Sequence, residues 1–509
     1  MLARIQSAAT LGLEARVLDV EVDVGSGLPR FTIVGLPDAS VREARERVRS
    51  ALRNGGFLVP EGAVTVNLAP ADFRKCGAAL DLPVALGLLW LCGVRPPGTL
   101  RRIFVGELGL GGEVRPVRGA LGLALAARDA GFPEIVLPAD NASEAAAVEG
   151  VRVVPVRHLG EAVGHVLGTA PIAAARPAAV PTGADSPDLS EIRGQLVARR
   201  SAEICAAGGH HILLSGPPGA GKTMLARRLP GILPPLSRPE SIEVTQIHSV
   251  AGVLASGSGL VAHPPFRAPH HGISSAGLVG GGPRPSPGEA SLAHRGVLFL
   301  DELPDFRRDV LEALRQPLEE RVVTIVRARG AMRFPCDLLL VAAMNPCPCG
   351  FRGDPRRACR CDARERFRYT RKLSGPLLDR IDLHVGMEAV DWKDLHGDAT
   401  AESSASVRER VLDARARAQA RRSDAPGFRN SDLRASDLAR HCALDHAGER
   451  LLERAVSRLS LSVRSVHRGL RVARTIADLA QSGPIRAEHL AEALSFRSPP
   501  PDLLPERSG

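Results

Sequence analysis

The run Gly216-Pro217-Pro218-Gly219-Ala220-Gly221-Lys222-Thr223 has the residue types and spacing of a phosphate cradle. Glycines let successive backbone amides turn onto phosphate oxygens, a lysine reaches the β- and γ-phosphates, and a following hydroxyl can ligate Mg²⁺. The context fits, because the apolar run Ile212-Leu213-Leu214 precedes the loop and the helix-like Met224-Leu225-Ala226-Arg227-Arg228 follows it. Only four of the 66 basic residues are lysines, so Lys222 stands out in an arginine-dominated chain. Downstream, Val297-Leu298-Phe299-Leu300 reads as a buried strand that delivers Asp301 and Glu302 at its C-terminal end. Asp301 would help to hold Mg²⁺ and Glu302 would polarise the attacking water. A second apolar run, Leu338 to Ala343, ends in Met344-Asn345-Pro346, where Asn345 could orient that water. In Leu377-Leu378-Asp379-Arg380-Ile381-Asp382 an arginine lies between carboxylates, which by itself is an ordinary ion pair.

Cys347, Cys349, Cys359 and Cys361 form two Cys-x-Cys pairs nine residues apart. Four thiolates on one short loop suit tetrahedral Zn²⁺ in a structural, closed site. In Arg321 to Phe334, alternation around a basic Gly-containing turn predicts a β-hairpin whose Arg327 and Arg329 could grip phosphates. His270 and His271 are adjacent, and adjacent side chains on a strand point to opposite faces, which argues against shared metal.

The elements that must position these groups follow from pattern. A chain of 509 residues with 44% hydrophobic and 24% charged residues has material for several cores. Residues 1–168 alternate β-type runs (15–24, 30–34, 63–67, 135–138) with helical ones (40–54, 80–91, 119–130), predicting an α/β or α+β N-terminal domain. The Ala/Pro-rich stretch 169–187 reads as a linker, 188–397 as a parallel-sheet core, 398–497 as a basic helical domain and 498–509 as a flexible tail. The formal net charge of +10 favours a polyanionic partner. With 13 Phe, 2 Trp and 1 Tyr, such contact should run through phosphates rather than base stacking. No apolar stretch reaches the roughly 20 residues of a membrane span, so a cytoplasmic protein without membrane contact is expected.

The segments GPPGAGKTMLARRLPGILPPL, FRAPHHGISSAGLVGGG, PGEASLAHRGVLFLDELPDF, AAMNPCPCGF and LSGPLLDRIDLH resemble the magnesium-chelatase-like AAA+ ATPases of the YifB type. The resemblance runs from residue 1 to about 497. It implies ATP and Mg²⁺ as ligands and a self-associating ring, expected to be a hexamer. Its implied activity is DNA helicase action, driving branch migration during recombination in natural transformation. The ATPase subunit of a magnesium chelatase, remodelling a protein partner, is the alternative. Lys222 and Thr223 match the P-loop, Asp301 and Glu302 Walker B, Asn345 sensor 1, and Arg380 the arginine finger offered to a neighbouring subunit. Arg464 is the choice for sensor 2, with Arg468 and Arg471 as rivals. The N-terminal domain resembles the Lon-protease-like (ribosomal S5 domain 2-like) fold through Phe104 to Leu110, Gly112 to Val117 and Ala130 to Phe132. Ala79 and Leu121 fall where the protease serine and lysine would sit, so a binding platform is expected, with Lys75 and Arg115 as candidate phosphate contacts.

Overall fold

The computed structural model describes residues 2–96, 101–178, 187–282, 285–327, 330–389, 401–459 and 461–497. The chain divides into two compact units. The first comprises Met1–Pro181 with Ser237–Ala262, and the second Thr182–Leu236 with His263–Gly509.

In the first unit a mixed four-stranded sheet has the order Leu2–Leu11, Glu14–Gly25, Ala63–Ala69, Arg30–Val34. Its first two pairings are antiparallel and the last is parallel. A parallel three-stranded sheet of Arg102–Phe104, Glu134–Pro138 and Arg152–Val156 completes the α/β frame. The uncharged run after Asp81 forms the helix Asp81–Leu91, which packs on the first two strands and buries nearly every face. It is a core helix, as its 11-residue length requires. Where the chain enters this helix, Asp81 is fully buried and takes two bonds from Arg47, at 2.6 and 3.0 Å, and one from the Leu108 N–H. Burial pushes this carboxyl up, and Arg47 only partly offsets the effect.

The compact units do not follow the chain contiguously. Helix Arg238–Ala251, expected within the parallel-sheet core, packs into the first unit: Arg238 pairs with Glu149 at 2.7 Å, Gln246 donates to the Leu13 carbonyl, and the Gly119 N–H donates to Ser249.

The second unit is built on a five-stranded, all-parallel sheet. Its order is Phe266–Arg267, Val297–Leu300, Leu339–Met344, Ile212–Ser215, Leu383–Gly386. The central strands are wholly buried, which is why they read as unbroken apolar runs rather than alternating ones. Helices Ser404–Arg421, Ala435–His441, His446–Leu459, Val463–Leu479 and Ala487–Ser495 form the C-terminal part of this unit and share its core. Buried Asp337 fastens the two parts together, meeting Arg429 at 2.6 Å, Arg295 at 3.0 Å and Arg321 at 3.4 Å. Burial alone would raise this carboxyl, but Arg429 and Arg321 hold it well below the usual carboxylate range. Among the described residues no helix is long and apolar enough to cross a membrane.

Candidate functional site

In an open parallel sheet, ligands bind beyond the carboxyl ends of the strands. The chain leaves the strand Ile212–Ser215 into the loop 216–221 and enters the helix Lys222–Ile232, with Gly221 in the left-handed region at φ 89° as its N-cap. Lys222 is buried, and its ammonium donates to the carbonyls of Gly216 (2.6 Å) and Pro217 (2.9 Å) and to Asn345 Oδ1 (3.1 Å). Burial lowers the pKa of this lysine, with Asp301 opposing. The Thr223 hydroxyl donates to Asp301 Oδ2 at 2.8 Å. Three strand ends from separate parts of the sequence thus converge within hydrogen-bond reach.

Glu302, directly after Asp301, has a left-handed backbone with φ 52°. For a residue with a Cβ this costs about 1 kcal/mol or more, a strain typical of functional positions. Its half-exposed carboxylate lies 3.5 Å from His271 Nδ1. His270 and His271 lie outside any strand, and their rings are close and tilted by 34°, with centroids 4.0 Å apart, instead of pointing to opposite faces. Gln195 also serves the loop, donating to Ala220 (3.2 Å) and Glu388 (2.6 Å) from a left-handed backbone. Nothing in its sequence neighbourhood marks it.

Beyond Asn345 the four cysteines come together. The Cys347 sulfur lies 3.4 Å from that of Cys349 and 3.6 Å from that of Cys359, the Cys349 and Cys359 sulfurs are 3.7 Å apart, and all four lie within 4.8 Å of one another. A tetrahedral zinc with Zn–S near 2.3 Å sets sulfur–sulfur edges of about 3.8 Å. The donor set therefore fits the ion. Backbone N–H groups led by that of Phe351 lower the Cys349 thiol to about 6, which favours a thiolate there.

The other predicted residues are more scattered. Arg380 is largely covered by its own unit, paired with Glu319 and donating to the Pro376 carbonyl. On the helix Val463–Leu479, Arg464 is exposed, Arg468 pairs with Asp382 at 3.2 Å, and Arg471 is partly buried. The hairpin forms as expected, Val322–Arg327 antiparallel to Gly330–Pro335. Arg329 and the Arg327 side chain lie outside the described residues.

In the first unit Arg115 is exposed, but Lys75 is fully buried, donating to the Pro70 carbonyl with its ammonium 4.3 Å from the Phe73 ring centre. It cannot contact phosphate, which corrects the sequence expectation. Leu121 is buried and Ala79 half-buried, with no hydroxyl or amine at either position.

Three family models match in succession: subunit ChlI of Mg-chelatase over residues 20–141, magnesium chelatase subunit ChlI over 188–395, and its C-terminal part over 401–497. An uncharacterized protein of Mycobacterium tuberculosis is 45% identical over 499 residues, covering 97% of this chain and 98% of that protein. Competence protein ComM of Haemophilus influenzae is 42% identical over 506 residues, and YifB of Escherichia coli 41% over 500, each covering 98% of this chain and 97% of the relative. A shorter likeness links 24% of the chain to 23% of Lon protease 2 of Bacillus subtilis, at 30% identity over 126 residues. With a parallel α/β core, a helical C-terminal part and near-full-length identity to ComM and YifB, the chain belongs to the magnesium-chelatase-like AAA+ ATPases of the YifB and ComM type.

Proposed function

We propose that this protein is a ring-forming motor that hydrolyses ATP to move DNA. The observation that carries the reading is the convergence of Lys222, Thr223, Asp301 and Asn345 at three neighbouring parallel strand ends. Lys222, held on two loop carbonyls, is placed to exchange them for the β- and γ-phosphates of ATP. Thr223 and Asp301 would hold Mg²⁺, which neutralises charge across those phosphates. Glu302 accepts the proton of the attacking water, and Asn345 orients that water. Arg380 acts on the site of a neighbouring copy, and Arg464, exposed on the C-terminal helix, serves as sensor 2. Cys347, Cys349, Cys359 and Cys361 hold a structural zinc.

DNA as the track is supported by the net charge of +10 and by the pairing of Val322–Arg327 with Gly330–Pro335, in a stretch whose sequence carries Arg327 and Arg329. The similar competence protein ComM points the same way by its name. The test is steady-state ATP hydrolysis with and without single-stranded, forked and four-way DNA, together with strand displacement from a labelled junction. Stimulation and ATP-dependent junction unwinding are expected. Hydrolysis indifferent to every DNA but raised by a protein partner would make this a protein-remodelling motor of the chelatase kind.

A further inference from the structure

The cysteine cluster lies against the nucleotide loop. Cys347 is two residues from Asn345, whose side chain bonds Lys222 at 3.1 Å. Within the cluster's first turn, Gly350 comes so close to the loop that a Cβ there would lie 2.7 Å from Pro218 Cδ and 2.9 Å from its Cγ. Its φ of 83° independently disfavours any other residue. The far side of the cluster is fastened to a helix. Helix Ala363–Arg371, capped by Asp362 next to Cys361, is tied to the cluster by Arg366, which donates to the Cys361 carbonyl at 2.9 Å. The four sulfurs therefore close a loop that begins two residues after Asn345 and whose Gly350 packs against Pro218.

This geometry exceeds what a scaffold needs. A structural zinc knuckle can stabilise its own loop anywhere on a surface, whereas here the backbone it constrains is also the backbone that sets Asn345 and limits Pro218. Packed contacts of this kind shift as a unit rather than deform continuously.

We propose that the four-cysteine cluster is an effector site for the nucleotide, with zinc on Cys347, Cys349, Cys359 and Cys361 and nucleotide on the loop 216–223 raising each other's affinity through Asn345 and the Gly350–Pro218 contact. The inference rests on the reading of the loop as a nucleotide site and of the cluster as a zinc site. Linkage makes it quantitative, because two ligands coupled through one protein must change each other's affinity by the same factor, on the order of 10-fold for a typical coupling.

The experiment uses the full chain, zinc-loaded or stripped by a chelator, and needs no measurement of turnover. Affinity for a fluorescent ATP analogue with Mg²⁺ is read by titration. Zinc release to an excess of chromogenic chelator is read with and without a slowly hydrolysed ATP analogue. Stripping should weaken the nucleotide about 10-fold, and nucleotide should strengthen zinc retention by a matching factor. Because stripped protein can lose its fold, Gly350→Ala supplies the second arm. It leaves all four sulfurs in place, so zinc content should stay at about one per chain. Nucleotide should nevertheless bind more weakly and should no longer protect the zinc.

Loaded and stripped protein with equal nucleotide affinity, or zinc release blind to nucleotide in the unsubstituted chain, overturns the coupling while leaving both sites standing. Folded protein that carries and takes up no zinc overturns the metal reading instead. Loaded protein that binds no nucleotide overturns the nucleotide reading. Each failure is distinguishable from the others.

Discussion

Lys222 and Glu302 should fail in different ways when substituted, because one holds phosphate and the other acts on water. Lys222→Ala removes the ammonium bonded to the loop carbonyls and Asn345, so nucleotide titration should show binding largely lost. Glu302→Gln keeps the shape but not the base. Binding should persist while steady-state turnover falls at least about 10²-fold, the usual contribution of a positioned general base. Equal loss of binding in both variants would show that Glu302 supports the fold of the site rather than its chemistry. These residues were legible in the sequence because the phosphate loop is contiguous and each partner ends an apolar run. Lys75 was not. A lysine in a basic chain reads as solvated, and only the tertiary packing over Phe73 shows it buried. His271 was weighed only as a metal ligand, because Glu302, which it approaches, lies 31 residues away in the chain.

At the scale of elements, buried strands announced themselves by composition, and the parallel core follows the sequence reading closely. Strands Leu2–Leu11, Arg102–Phe104 and Arg152–Val156 were missed, because short or polar-interrupted pairings are decided by neighbours. The placement of Ser237–Ala262 in the first unit was equally invisible, since a helix carries no record of which sheet it will cover. One junction makes a testable claim about acid stability. His211 sits between strands, where its Nδ1 accepts the Leu340 N–H at 3.1 Å. Burial lowers this histidine to about 4, with Asp382 opposing, and burial also lowers His384, two strand positions along, to about 4. Both are neutral in the folded chain where an unfolded one, near 6.5, begins to take up protons. The unfolded state then binds more protons, so stability falls as pH drops from about 6.5 to 4. His211→Gln retains an acceptor for Leu340 without the titration. Calorimetric Tm measured from pH 7.5 to 4 should decline less steeply in this variant than in the unsubstituted chain. Parallel declines would mean that His211 charges freely in the fold.

One unit carries Ala79 and Leu121 and the other the loop 216–223, and the two make separate predictions. With Ala79 and Leu121 where a serine and a lysine would be needed, no ATP-dependent cleavage of an unfolded protein is expected, and cleavage by pure protein would overturn the platform reading. The motor unit raises the question of assembly. Within one chain Arg380 pairs with Glu319 and donates to the Pro376 carbonyl. A guanidinium beside the γ-phosphate stabilises charge mainly in the transition state. Arg380→Ala should therefore leave nucleotide affinity within a few-fold and cut turnover by roughly 10³ to 10⁵. Specific activity of the unsubstituted protein should also fall on dilution, because a lone chain lacks the partner subunit's Arg380. Mixing supplies the decisive version. Arg380→Ala chains keep a nucleotide loop but no finger, whereas Lys222→Ala chains keep the finger but no working loop. Neither preparation alone should hydrolyse ATP, yet mixed rings contain interfaces where the loop of one variant faces the arginine of the other. Recovery of turnover on mixing, at a ratio-dependent fraction of the unsubstituted rate, is expected. If mixing restores nothing and activity per chain is constant down to the monomer, Arg380 is an ion-pair residue of its own chain and hydrolysis needs no neighbour.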